Sequence, residues 1–71
     1  MSIETVEVGG TIRLGQFLKL ANLIDSGSDA KELLLQGRVQ VNDEVETKRG
    51  RQLRAGDLVE LGGVTVRVSG S

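Results

Sequence analysis

The chain has 71 residues, with nine basic and ten acidic side chains for a net charge of −1, 38% apolar residues and 27% charged ones. At this length a single domain buries only about 60% of its unfolded surface, which leaves little room for a deep active-site cavity beside a core. There is no His, Cys, Trp, Tyr or Pro, and Phe17 is the one aromatic. These absences remove the usual near-neutral acid/base, disulfides, and the ligands of zinc or iron–sulfur centres. The longest apolar run is Leu33 to Leu35, too short for a membrane span, and Glu4 and Glu7 interrupt any signal-peptide pattern. The expectation is a soluble cytoplasmic protein of one domain over residues 1–71, with no cofactor, no membrane partner and no small-molecule substrate.

In chain order, Ile3 to Val8 reads as a half-buried strand because Val6, Glu7 and Val8 alternate, and Gly9-Gly10 ends it. Thr11 is the expected cap of a first helix. From Leu14 the period becomes helical: Leu14, Phe17, Leu18, Ala21 and Ile24 form one apolar stripe, with Gln16, Lys19 and Asn22 on the other side. After a break at residues 25–29, either Ser26 with Asp29 or Asp29 with Glu32 opens a second helix. Ala30, Leu33 and Leu34 make its core stripe, and Gly37 terminates it.

The period then returns to two. Val39 and Val41 face one way, and Asn42-Asp43 turns the chain into a strand at 44–47. Residues 48–54 read as a loop, carrying Lys48, Arg49, Arg51 and Arg54 with no acid. Gly56-Asp57 leads into a strand at 58–61, and Gly62-Gly63 makes a hairpin with Val64 to Val68. Ser69 to Ser71 read as a frayed tail. The order predicts an α+β domain, with two N-terminal helices packed on a small antiparallel β-sheet.

Catalysis finds no support. No nucleophile has an activating base, Asp43-Glu44 reads as a hydrophilic hairpin tip, and Asp57 reads as a turn device. Gly9-Gly10 and Gly62-Gly63 lack the spacing and the Lys-Ser/Thr of a phosphate loop. The acids have no calcium-loop spacing, so no metal site is expected.

Nucleic-acid binding is the reading that survives. A polyanion responds to local field rather than net charge, and Lys31, Arg38, Lys48, Arg49, Arg51 and Arg54 form one basic surface if the 39–47 hairpin folds back. The competing reading is a solvated charged loop. Without exposed aromatics, base stacking gives way to shape and backbone contacts with a folded or double-stranded RNA.

Leu14-Gly-Gln-Phe-Leu-Lys19, Ser26-Gly-Ser-Asp-Ala-Lys31, Gly37-Arg-Val-Gln-Val-Asn42 and Gly56-Asp57, in this order, resemble the S4-type RNA-binding domain, or alpha-L motif. The likeness covers residues 12–61 and is nearest to the short free-standing bacterial members of the YbcJ/YaaA-like group, which also share the run Val45 to Asp57. It implies a non-enzymatic protein that binds structured RNA, ribosomal or tRNA-like, alone or on a ribosomal particle. The site residues it implies are Arg13, Lys19, Lys31, Arg38, Lys48, Arg49, Arg51 and Arg54, with Gln16 on the same helix face and Asn42 in a structural role. Two positions depart from the family pattern: Asp43 replaces a Gly, and Gly15 stands where many relatives have Asp.

Two rival readings belong to other classes. A ubiquitin-like or sulfur-carrier domain shares the pattern Val41-Asn42, Leu53 and Gly56-Asp57-Leu58-Val59, but such carriers end in Gly-Gly, whereas this chain ends Gly70-Ser71. An oligomerising scaffold would use an exposed edge of the 58–68 hairpin.

Overall fold

A computed structural model describes residues 3–70. In it the chain forms β1 (Glu4–Glu7), β2 (Ile12–Arg13), α1 (Leu14–Leu20), α2 (Gly27–Leu35), β3 (Val39–Val41), β4 (Glu44–Val45), β5 (Gln52–Leu53), β6 (Leu58–Leu61) and β7 (Val64–Ser69). One sheet has the order β1-β7-β6-β3-β4, and β2 and β5 make a separate two-stranded ribbon. The class is α+β, as expected.

The main sheet is mixed rather than antiparallel, because β1 pairs parallel to β7 with Glu4 opposite Val66 and Glu7 opposite Ser69. A parallel pair requires a crossover, and both helices with the rest of the sheet lie between these strands in sequence. The helices are therefore enclosed by strands instead of preceding them. Ser69 is part of the ladder, and its carbonyl accepts the N–H of Val8 at 2.6 Å, so the expected frayed tail is wrong at that residue. Ser71 lies outside the described residues. The 58–68 hairpin is interior, flanked by β1 and β3, which removes the free edge that the scaffold reading needed.

The apolar stripes behave as their spacing dictates. Leu14, Phe17, Leu18, Ala21 and Ile24 are buried with Ala30, Leu34, Val39, Val41, Leu53, Val59, Leu61, Val66 and Val68 in one core, and Leu33 packs at its margin. Both helices end in the same device. At α1 the N–H of Leu23 reaches the Leu18 carbonyl and that of Asn22 reaches Lys19, with Asn22 at φ 59°. At α2 Arg38 reaches Leu33 and Gly37 reaches Leu34, with Gly37 at φ 72°. These are Schellman closures with a left-handed residue just past each helix. Asn22 therefore ends α1 instead of lying on its polar face.

The helix starts differ from expectation. Arg13, not Thr11, is the residue before α1, and it makes no side-chain cap. Ile12 and Arg13 are instead drawn into the ribbon, opposite Leu53 and Gln52. Ser26 precedes α2, also without a side-chain cap, so neither proposed capping arrangement forms. The Asn42-Asp43 turn has both residues at positive φ, 53° and 70°, the type I′ geometry that suits the twist of a two-residue hairpin. Among the described residues no helix is long and apolar enough to cross a membrane.

Candidate nucleic-acid interface

The basic segment does not float as a loop. Leu53 is fully buried and pairs with Ile12, anchoring the segment's far end in the ribbon. At its near end, Arg51 N–H bonds the Lys48 carbonyl at 3.2 Å, closing a turn over Lys48, Arg49, Gly50 and Arg51. The turn then caps the first helix. Leu14 N–H donates to the Arg51 carbonyl at 2.8 Å, and Gly15 N–H to the Arg49 carbonyl at 2.9 Å. The first amides of a helix have no partner inside it, so backbone carbonyls of the basic turn take the part that Thr11 was expected to play.

Gly15 makes this approach possible. It is buried, and a Cβ built there would stand 2.8 Å from Arg49 Cγ. The aliphatic stem of Arg49 lies across the helix surface where any other residue would carry its side chain. The absence of a side chain at position 15 is thus what lets Arg49 dock closely on α1.

Beside that contact runs an open groove lined by Arg13, Gly15, Gln16, Lys19, Ala30, Arg49 and Gly50. Three cations line it and no acid does. Arg13 comes from the ribbon, Gln16 and Lys19 from the polar face of α1, Ala30 from α2 and Arg49 from the turn. Lys31, next along α2, is exposed, as are Lys48 and Arg54.

Two of the expected residues are placed differently. Arg38 lines another depression, with Asn22, Leu23, Leu33, Leu61, Gly62 and Val64. The hairpin does fold back, with Glu46 N–H on the Val39 carbonyl at 3.0 Å, and the turn that follows docks on α1 through the Leu14 and Gly15 amides. Arg38 and the basic turn thus line different depressions. Arg51 is in an ion pair, with Nη1 3.0 Å from Glu46 Oε1, the single salt bridge among the described residues.

Glu46 was not among the expected site residues. Its other oxygen accepts the N–H of Thr47 at 3.0 Å and of Lys48 at 3.1 Å. The Arg51 hydrogen bond and the Lys48 N–H hold its carboxyl below the usual value, against the opposing effect of partial burial. The sequence signal was an acid shortly before three cations in four residues. A second polar clasp fixes the next turn: Asn42 Nδ2 donates to Asp57 Oδ1, Asn42 Oδ1 accepts Leu58 N–H, and Asp57 Oδ2 accepts Arg54 N–H. Asn42 and Asp57 thus have the structural roles expected of them. Among the described residues no group of three or more carboxylates is placed to hold a metal ion.

These features define a small α+β module that presents one cationic groove beside a backbone-capped helix. The chain belongs to the S4 domain family, whose model matches residues 5–69. It is 56% identical over 52 residues to a protein of Bacillus subtilis (strain 168) named "Probable ribosome maturation protein RlbA", covering 73% of each chain. It is 35% identical over 57 residues to YbcJ of Escherichia coli (strain K12), covering 80% of this chain and 81% of that one. The fold is similar to the solution structure of YbcJ from E. coli, with a TM-score of 0.73 and 31% identity over 97% of this chain and 90% of the other. That structure is described as revealing an alfaL motif involved in RNA-binding. The family membership places the chain among S4 domains and not among ubiquitin-like sulfur carriers.

Proposed function

We propose that this chain is a non-enzymatic RNA-binding protein, one S4 domain throughout, that engages structured RNA through the groove between α1, α2 and the 48–51 turn. The observation that carries this reading is the lining: Arg13, Lys19 and Arg49 line one groove with Gln16, and no carboxylate is among its lining residues. A phosphate entering there meets two guanidinium forks and an ammonium. Lys31, Lys48 and Arg54 are exposed and add positive charge to the elements that form the groove or adjoin it, while Arg51 acts through Glu46 and Arg38 lines a different depression.

The mode of recognition is backbone and shape. The one aromatic, Phe17, is fully buried, so no ring is offered to an unstacked base. The resemblance to RlbA, named for ribosome maturation, supports a cytoplasmic role on ribosomal RNA in an assembling particle. The net charge of −1 is compatible with this because no acid lines the groove, while Asp25, Asp29 and Glu32 line a separate depression at the far end of α1.

The reading is tested by titrating the protein into a structured ribosomal RNA fragment and an unstructured RNA of equal length across a salt series. Preference for the folded fragment, with log affinity falling by about 0.7 to 0.9 per contacted phosphate per log unit of salt, is the expected result. Equal, salt-insensitive affinities would overturn it.

A further inference from the structure

We propose that Glu46, an acid just before the basic segment, is a positioning residue of the RNA interface, holding the 48–51 turn in the shape that lays Arg49 against α1. This rests on the RNA-binding reading and deepens it.

Glu46 grips the turn at both ends. One carboxylate oxygen accepts the N–H of Thr47 and of Lys48 where the turn begins, and the other accepts Nη1 of Arg51 where it ends. Between these points the chain must keep Lys48, Arg49 and Arg51 within four residues. Their mutual repulsion favours an open segment, and Glu46 is the carboxylate that neutralises it at short range. Once closed, the turn presents two carbonyls, those of Arg49 and Arg51, to the amides of Gly15 and Leu14. Arg49 is then carried over Gly15 and into the groove. The order of dependence is Glu46, turn, helix cap, Arg49.

Simple electrostatics and this arrangement predict opposite signs for one substitution. Glu46→Gln removes a negative charge beside a surface that binds a polyanion, so through charge alone it should tighten binding. If Glu46 positions the turn, the same change loosens Arg49 and weakens binding. Gln keeps an oxygen for the two backbone donors and loses the ion pair, which isolates the grip on Arg51.

The experiment measures affinity of the unaltered protein and of E46Q for a structured ribosomal RNA fragment across a salt series, with amide hydrogen exchange on the free proteins. The expected result is binding weaker by on the order of three- to tenfold, with a shallower salt slope as turn cations disengage. Leu14 and Gly15 amides should exchange faster, while Val59 and Val66 in the sheet keep their protection, showing that E46Q is folded. Unchanged or tighter binding by E46Q overturns the inference whatever the amides do, as does unaltered exchange at Leu14 and Gly15. Absence of salt-dependent binding by the unaltered protein is the distinct outcome that defeats the RNA reading itself.

Discussion

Asn42 and Asp57 are fifteen positions apart, yet Asn42 Nδ2 donates to Asp57 Oδ1 at 3.2 Å, tying the β3–β4 turn to the turn before β6. Asn42 also accepts Leu58 N–H across the clasp, and Asp57 accepts Arg54 N–H within its own turn. The pair thereby sets where the chain leaves the basic segment and enters the central hairpin. Replacing Asp57 by Ala deletes two hydrogen bonds at an exposed site and should lower stability by about 1 to 3 kcal/mol. Asn42→Ala adds a strained left-handed Ala, at φ 53°, to a similar loss. Urea unfolding of both single variants and the double variant would show a coupling of roughly 0.5 kcal/mol or more. Strict additivity would contradict the clasp.

Asp43 has the opposite standing. It occupies the second central position of a type I′ turn at φ 70°, where Gly is free of strain. Asp43→Gly should therefore stabilise the protein, by about 0.5 to 1 kcal/mol, read as a higher urea midpoint with unchanged m-value. A lower midpoint would show that the Asp side chain has a role which the turn geometry does not reveal.

At Gly15 stability and function should separate. Gly15→Ala gains helix propensity, by less than the interior value of about 1 kcal/mol because position 15 lies in the first turn of α1. Its new Cβ collides with Arg49 Cγ, which must move. The expectation is a thermal midpoint near that of the parent protein and a several-fold loss of RNA affinity. Equal affinity would mean that Arg49 need not lie on the helix.

The Glu46 carboxyl gives a pH signature. Its pKa is lowered in the folded protein, chiefly by the Arg51 hydrogen bond and the Lys48 N–H. Its contribution is therefore in place above the unfolded value, about 4.3 for a free Glu, and disappears as pH falls through the lower folded value. The Thr47 and Lys48 amide resonances should titrate together in acid with a midpoint below that of a free Glu, and the titration should vanish in Glu46→Gln. A midpoint at or above the free value would refute the clasp in solution.

Much of the fold was legible because local periods were long enough to read. Leu14, Phe17 and Leu18 specify a helix face, Val64 to Val68 a strand, and Asn42-Asp43 and Gly62-Gly63 two hairpin turns. The β2–β5 ribbon was not legible, since two residues per strand, with Ile12 and Leu53 as the only apolar pair, carry no period. Nor was the parallel β1–β7 pairing, which joins the two ends of the described chain and leaves no local mark on either. The candidate site divides in the same way. Its cations could be counted in the sequence, but Arg38 and Arg49 look alike there, and only the docking of the turn on α1 separates them. Glu46 reads in the sequence only as one residue of the 44–47 strand, and its role shows once its three donors are in view.

In the proposed function it is the groove beside α1, and not basic charge in general, that binds RNA. The decisive comparison is Arg49→Gln against Arg38→Gln, two substitutions that remove the same charge, for affinity to a structured ribosomal RNA fragment across a salt series. Arg49→Gln should weaken binding and lower the salt slope by roughly one phosphate contact, whereas Arg38→Gln should leave both near the parent values. Equal losses from the two, or a greater loss from Arg38→Gln, would show that the groove is not the RNA-binding surface.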